Sequence, residues 1–268
     1  MHASGVADLN DLENRMSQEL ASWPRPSYAD DGRPFLFFAV FGASTDGLEV
    51  SRSRHRCAGV PAGLDLSAYD AQQHADWLDS LRSGYLWEKL QHDDPELARI
   101  TAGATTCVVL RGEPTDDVTL DYLRDTVGLI QAFFDNGAAC LYDPQQFRWW
   151  GADEWRSGVF EAAKPVPHRH VVTLASPMED GRLWLHTRGM RLFGRPDLSM
   201  HAVTPEIQPA VVEMFDRLID LQSAGGVVAH AQPIRMAGLP DGLACFHGGD
   251  VDDPEFNNVH IEIGRPAT

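Results

Sequence analysis

Residues 105–142 constrain the fold of this chain more than any other stretch. An apolar run over 105–110 is followed by Leu120, Leu123, Val127, Ile130 and Phe134 at helical spacing, then by a second apolar run over 138–142. Strand, amphipathic helix and strand in that order form a βαβ pattern, with Thr115 expected to cap the helix and Asn136-Gly137 to stop it. A helix buried along one stripe and strands this apolar need a sheet with helices packed on it. A second unit follows. Thr204-Pro205-Glu206 reads as a helix start with cap, first-turn proline and an acid at the positive end of the dipole, Gly225-Gly226 as its stop, and residues 227–235 as the next strand. Thr115 and Thr204 are 89 residues apart, as are Gly137 and Gly226. That spacing is compatible with two related βαβ-containing halves, 30–145 and 165–264, although the side chains between them match poorly. The expected class is α+β, with mixed or antiparallel sheets and packed helices in one compact domain over 1–268.

The remaining elements are read from the same signals. Leu9, Leu12, Met16 and Leu20 predict an N-terminal helix over 6–22, ended by Pro24 and Pro26. Residues 35–41 are apolar throughout, as a strand buried on both faces would be. Residues 47–56 read as a second strand, with Arg52, Arg54 and Arg56 alternating onto one face. Ser67 and Asp70 have the spacing of a capping box before a helix carrying Trp77, Leu81 and Tyr85 to about Leu90, and Asp94-Pro95 restarts a short helix. Trp149, Trp150, Trp155 and Phe160 lie in a segment expected to be helical and buried. Residues 168–175 and 182–187 read as paired strands around Glu179-Asp180-Gly181, and the chain closes with strands at 243–246 and 259–263 around a polar loop.

Charge narrows the function classes. The net charge of −17 repels polyanions, so general nucleic-acid binding is not expected, and it gives capture of a basic partner a physical basis. Residues 61–135 concentrate it, with 14 acidic and five basic side chains. Two basic islands stand against this: Arg52, Arg54 and Arg56, then Arg182, Arg188, Arg191 and Arg195. No apolar run approaches membrane-spanning length and no secretion signal is visible. Cys57, Cys107, Cys140 and Cys245 are widely spaced, with no Cys-x-x-Cys pair. A reducing, cytoplasmic setting is the expectation.

The run Leu185-His186-Thr187-Arg188-Gly189-Met190, continued by Phe193-Gly194-Arg195-Pro196-Asp197-Leu198, resembles the "T-x-G-M, then F/L-G-x-P-D/E" pattern of an uncharacterised bacterial domain-of-unknown-function family. The resemblance extends over residues 100–263, through 138–144, Pro167-His168-Arg169-His170 and the loop Asp253-Pro254-Glu255-Phe256-Asn257-Asn258. It implies an α+β fold and no established reaction. Some related families sit in bacterial toxin and immunity loci, so it implies an immunity role by analogy.

Three clusters carry candidate chemistry. His168 and His170, two apart on an expected strand, would share a face with His186 on the next strand, and three neutral imidazoles suit zinc, iron or another divalent metal. No carboxylate follows the pair at a ligand's spacing, and the same histidines suit surface or hydrogen-bonded core positions. Otherwise no cofactor is expected. Gly189, Gly194, Arg188, Arg191 and Arg195 combine close backbone approach with bidentate donors, as a carboxylate or phosphate site needs. A sharp turn whose arginines pair with this chain's acids uses the same residues. Residues 247–258 bring Asp250, Asp252, Asp253 and Glu255 together, which suits either a hard cation or ordinary turns. There is no Gly-x-Ser-x-Gly and no phosphate loop, and apolar surroundings raise the pKa of Cys107, Cys140 and Cys245.

Two functional readings follow. In the first the protein is not an enzyme, and its acidic face at 61–135 captures a basic protein as an immunity protein captures a toxin. In the second, His168, His170, His186, Arg188, Arg191 and Arg195 line a pocket for an anionic metabolite. The second requires these six side chains to converge on one concavity.

Overall fold

The computed structural model describes residues 20–30 and 32–266. The N-terminal helix expected over 6–22 falls outside them except for its last three residues, which carry no helix.

The apolar run forms β1 (Leu36–Phe41), which lies at the centre of a five-stranded sheet. Its neighbours are β3 (Thr106–Gly112) and β4 (Cys140–Asp143), with β2 (Leu64–Asp70) beyond β3 and β5 (Arg148–Trp150) beyond β4. All pairs are antiparallel. Because β1 runs opposite to both β3 and β4, those two are parallel to each other and joined by the expected helix, α5 (Asp121–Asp135). The βαβ unit is therefore real but split by β1. Both faces of β1 are covered. Leu36, Phe38 and Val40 meet Leu123, Val127 and Ile130 of α5, while Ala39 and Phe41 meet Leu78, Leu90 and Ala98. These last three come from α2 (Ala75–Leu81), α3 (Gly84–Asp93) and α4 (Pro95–Gly103), a helical layer on the outer face of the sheet. Each such large apolar side chain stabilises the fold by about 1.5–3 kcal/mol.

A six-stranded sheet has the order β6 (Val172–Pro177), β7 (Leu183–Arg188), β8 (Asp197–Val203), β11 (His260–Gly264), β10 (Leu243–Gly248) and β9 (Pro233–Ile234). Only β8 and β11 pair in parallel. The long helix α7 (Gln208–Ser223) lies between them in sequence, and its Val211, Phe215 and Ile219 share one core with Leu198, Ile261 and Ile263. That core continues into the first sheet through α5. The two crossovers differ in wiring: β1 separates β3 from β4, whereas β8 and β11 touch.

Several local expectations are corrected. Residues 47–56 hold no strand; Arg52–His55 form the short helix α1, because Ser51 accepts from the Arg54 N–H at 3.3 Å and Arg56 turns left-handed at its end. Ser67 and Asp70 lie in β2, and Asp70 accepts from the Gln72 and Gln73 N–H groups at 2.9 and 3.1 Å, a strand-end turn rather than a capping box. Thr115 caps nothing. The chain from 113 to 120 runs beside Trp23 and Arg25, and α5 starts only at Asp121. Trp149 and Trp150 stand on β5, while Trp155 ends α6 (Ala152–Trp155), which continues as a π-helical turn over Arg156–Phe160. Of residues 227–235 only Pro233 and Ile234 form a strand, since Ala231 takes a positive φ that breaks the ladder. Among the described residues no helix is long and apolar enough to cross a membrane.

Candidate functional site

The Thr187–Asp197 motif is a hydrogen-bonded knot that joins β7, β8 and the start of β11. Thr187 donates from its hydroxyl to Asp197 Oδ1 at 2.9 Å and accepts from the Leu198 N–H at 2.8 Å. The Met190 N–H reaches the same carboxylate at 3.2 Å, and Asn258 Nδ2 donates to Asp197 Oδ2 at 2.8 Å and to the Arg195 carbonyl at 2.9 Å. Burial pushes the Asp197 carboxyl up to about 6 against the opposing pull of these bonds. Gly189, at φ 114°, passes so close to the His170 carbonyl that a Cβ would sit 2.2 Å from it; Gly194, at φ 67°, packs on Pro34. These glycines serve chain packing rather than approach to a ligand.

The arginines of the motif go three separate ways. Arg195 spends its guanidinium on the carbonyls of Ala29, Gly194, Gly225 and Gly226 and on Asp116 at 3.1 Å. Asp116 is held on its other oxygen by Arg25, and all three side chains are almost fully buried. Asp116 thereby ties the loop after β3 to the turn that precedes β8. Arg188 is buried, donates to the Glu255 carbonyl and lies over the Phe147 ring at 4.2 Å. Arg191 stacks on Phe35 at 4.2 Å and faces an open cavity. In the other basic island, Arg54 pairs with Asp135 at 2.9 Å, while Arg56 donates to the Ala162 carbonyl at 2.9 Å.

The three histidines do not form one group. His168 is on a 3-10 turn over Pro167–Arg169, not on a strand, and its Nε2 lies 3.1 Å from Asp220 of α7. His170 follows that turn and is buried between Trp155 and Phe193; burial drives its pKa down to about 4. His186 does stand on β7, stacked on Trp184 at 3.9 Å, and burial, then Arg188, lowers it to about 4. Among the described residues no group of three or more His, Cys, Asp or Glu side chains is arranged to hold a metal ion. In the 247–258 loop, Asp250 accepts from the Asp252 N–H and Asp253 from the Glu255 N–H, both at 2.9 Å, as turn-formers do. All four cysteines are buried and free, and burial pushes Cys107 and Cys140 up to about 12.

Two surfaces remain. The first is the layer α2–α4. It carries Asp76, Asp79, Glu88, Asp93, Asp94 and Glu96, all exposed, and also Tyr85, whose surface is 74% accessible. The second is a cavity of about 600 Å³ at one end of the second sheet, lined from six separate chain segments that include Arg33, Phe35, Arg191, Gln222, His247 and His260. Of the six side chains required by the anion-pocket reading, only Arg191 and Arg195 line it, and Arg195 is already committed. Arg33, Gln222, His247 and His260 carried no signal in the sequence, because only the fold unites them. Comparison of the chain with protein-family models, curated proteins and solved structures finds no match.

Proposed function

We propose that the protein works by binding a basic protein partner on the layer α2–α4, in the manner of an immunity protein holding a toxin, and that it does so in the cytoplasm. The observation that carries this reading is an excess of exposed negative charge on a helical layer that also exposes an aromatic ring. Of the basic residues in the layer, Arg82 is tucked beneath it, over the Phe41 ring and bonded to the Ala104 carbonyl. Lys89 pairs with Asp93 and Arg99 with Glu96. Asp76, Asp79, Glu88 and Asp94 are left facing solvent, with only a 4.0 Å contact from Arg82 to Asp79 and a capping bond from the Leu97 N–H to Asp94. An exposed tyrosine is a residue type that binding hot spots favour, and the carboxylates left facing solvent would steer a cation-rich partner to the layer. The likeness of the Thr187–Leu198 run to a domain family with relatives in toxin and immunity loci agrees with this reading.

The test is affinity for the partner as ionic strength rises. A partner recovered at low salt should bind about tenfold or more weakly at 0.5 M than at 0.05 M salt, and Glu88→Lys with Asp79→Lys should weaken it at low salt. Affinity indifferent both to salt and to the double charge reversal would overturn the reading.

A further inference from the structure

We infer that the cavity at the end of the second sheet is a binding site for a small organic monoanion, a carboxylate joined to an apolar body. Its volume of about 600 Å³ falls within the range of small-molecule sites. Its walls are unusual for open surface. Val227, Val251 and Val259 are three of the exposed large apolar side chains of the described chain, and all three line this one cavity, together with Phe35. Apolar surface gathered in a concavity and left uncovered is what a ligand's apolar body would bury.

The polar side of the cavity sets the head group. Arg33 stands exposed at the rim. Arg191 is held in place by Phe35 beneath it and by a bond from Nη1 to the Asn257 carbonyl at 3.0 Å. Its hydrogen bonds to described residues all use Nη1, so the Nε and Nη2 donors are left for a carboxylate. Charge favours an anionic head group. The lining holds Arg33 and Arg191 against Glu113, and Arg195 shares the single carboxylate of Asp116 with Arg25, so the wall is cationic and Arg33 and Arg191 supply its uncommitted guanidinium donors. Gln222 belongs to the last turn of α7, whose carboxyl end adds negative potential and disfavours a dianion. Phosphate monoesters are accordingly poor candidates. This site shares no residue with the α2–α4 layer, so it stands or falls independently of the partner-binding reading.

Calorimetric titration of the full chain with 3-phenylpropionate, 3-phenylpropanol, acetate and inorganic phosphate tests it. The expected result is saturable one-to-one binding of 3-phenylpropionate, at least tenfold tighter than the alcohol, which lacks the charge, and than acetate, which lacks the body. Arg33→Gln, an exposed substitution that leaves the core untouched, should weaken it severalfold. Val251→Asp, which places a like charge in the wall, should weaken it tenfold or more, with the far-ultraviolet circular dichroism of both variants unchanged. No saturable binding of 3-phenylpropionate, equal binding of the alcohol, tighter binding of phosphate, or indifference to both substitutions would each overturn the inference.

Discussion

Asp116, wedged between Arg25 and Arg195, and Glu96, paired with Arg99 on the open surface of α4, are both carboxylate–guanidinium contacts. The Asp116 and Arg195 side chains are 3% and 2% accessible, whereas Glu96 and Arg99 are 66% and 71%. In the first place water cannot take over if a partner is lost; in the second it does so at once. The same chemistry therefore pins two units of the fold together in one region and merely decorates the surface in the other. Charge counted along a sequence does not separate the two, and burial does.

The sharpest way to break this comparison is Asp116→Ala, which strands two buried guanidinium groups. It should cost about 3–5 kcal/mol in urea unfolding. A loss below about 1 kcal/mol would mean that the triad is not what joins the loop before α5 to the second unit. The next effect concerns pH. Asp143 and Asp197 have folded pKa values pushed up to about 6 by burial, so they favour the folded state below about pH 4 and lose that contribution as pH rises through about 6. His170 and His186, driven down to about 4 by burial, act oppositely: their contribution is full above about pH 6.5 and lost as pH falls through about 4. These four groups largely offset one another between pH 4 and 6.5. Asp197→Asn removes one carboxylate from the balance, so stability of the variant should rise more steeply across that window than the wild type's, by about 1–3 kcal/mol. Parallel slopes would show that Asp197 titrates as it does in the unfolded chain. At the small end, Glu96→Ala should leave the urea unfolding midpoint almost unchanged, and any difference should vanish in high salt.

What the sequence disclosed follows the same division between local and distant causes. β1, the stripe of α5, the Asp94-Pro95 helix start and the closing strands were legible because each is dictated by neighbours in the chain. Asp94 caps α4 with a 2.9 Å bond from the Leu97 N–H, as its position before proline implies. Residues 47–56 misled because arginines two apart have the period of a strand, while the decisive event is one hydroxyl capping one turn. Thr115 misled because a contact with residues about 80 and 90 positions away holds its neighbour Asp116 outside the helix. The Thr187–Asp197 run reads as an anion site from its glycines and arginines, but the same residues suit a knot, and only the partners of each donor decide between them. The cavity was invisible for the most basic reason: its six segments are strangers until both sheets have formed.

The central position of β1 has a consequence for how the chain is made. β1 leaves the ribosome before either of its neighbours, and the more distant one, β4, begins 104 residues after β1 does. At about 5–20 residues per second of synthesis that interval is on the order of ten seconds. Until β3 is made, Leu36-Phe37-Phe38-Ala39-Val40-Phe41 has both edges open, and the edge that β4 covers stays open for the whole interval. Biogenesis of this protein therefore depends on shielding its earliest strand until its latest neighbour arrives.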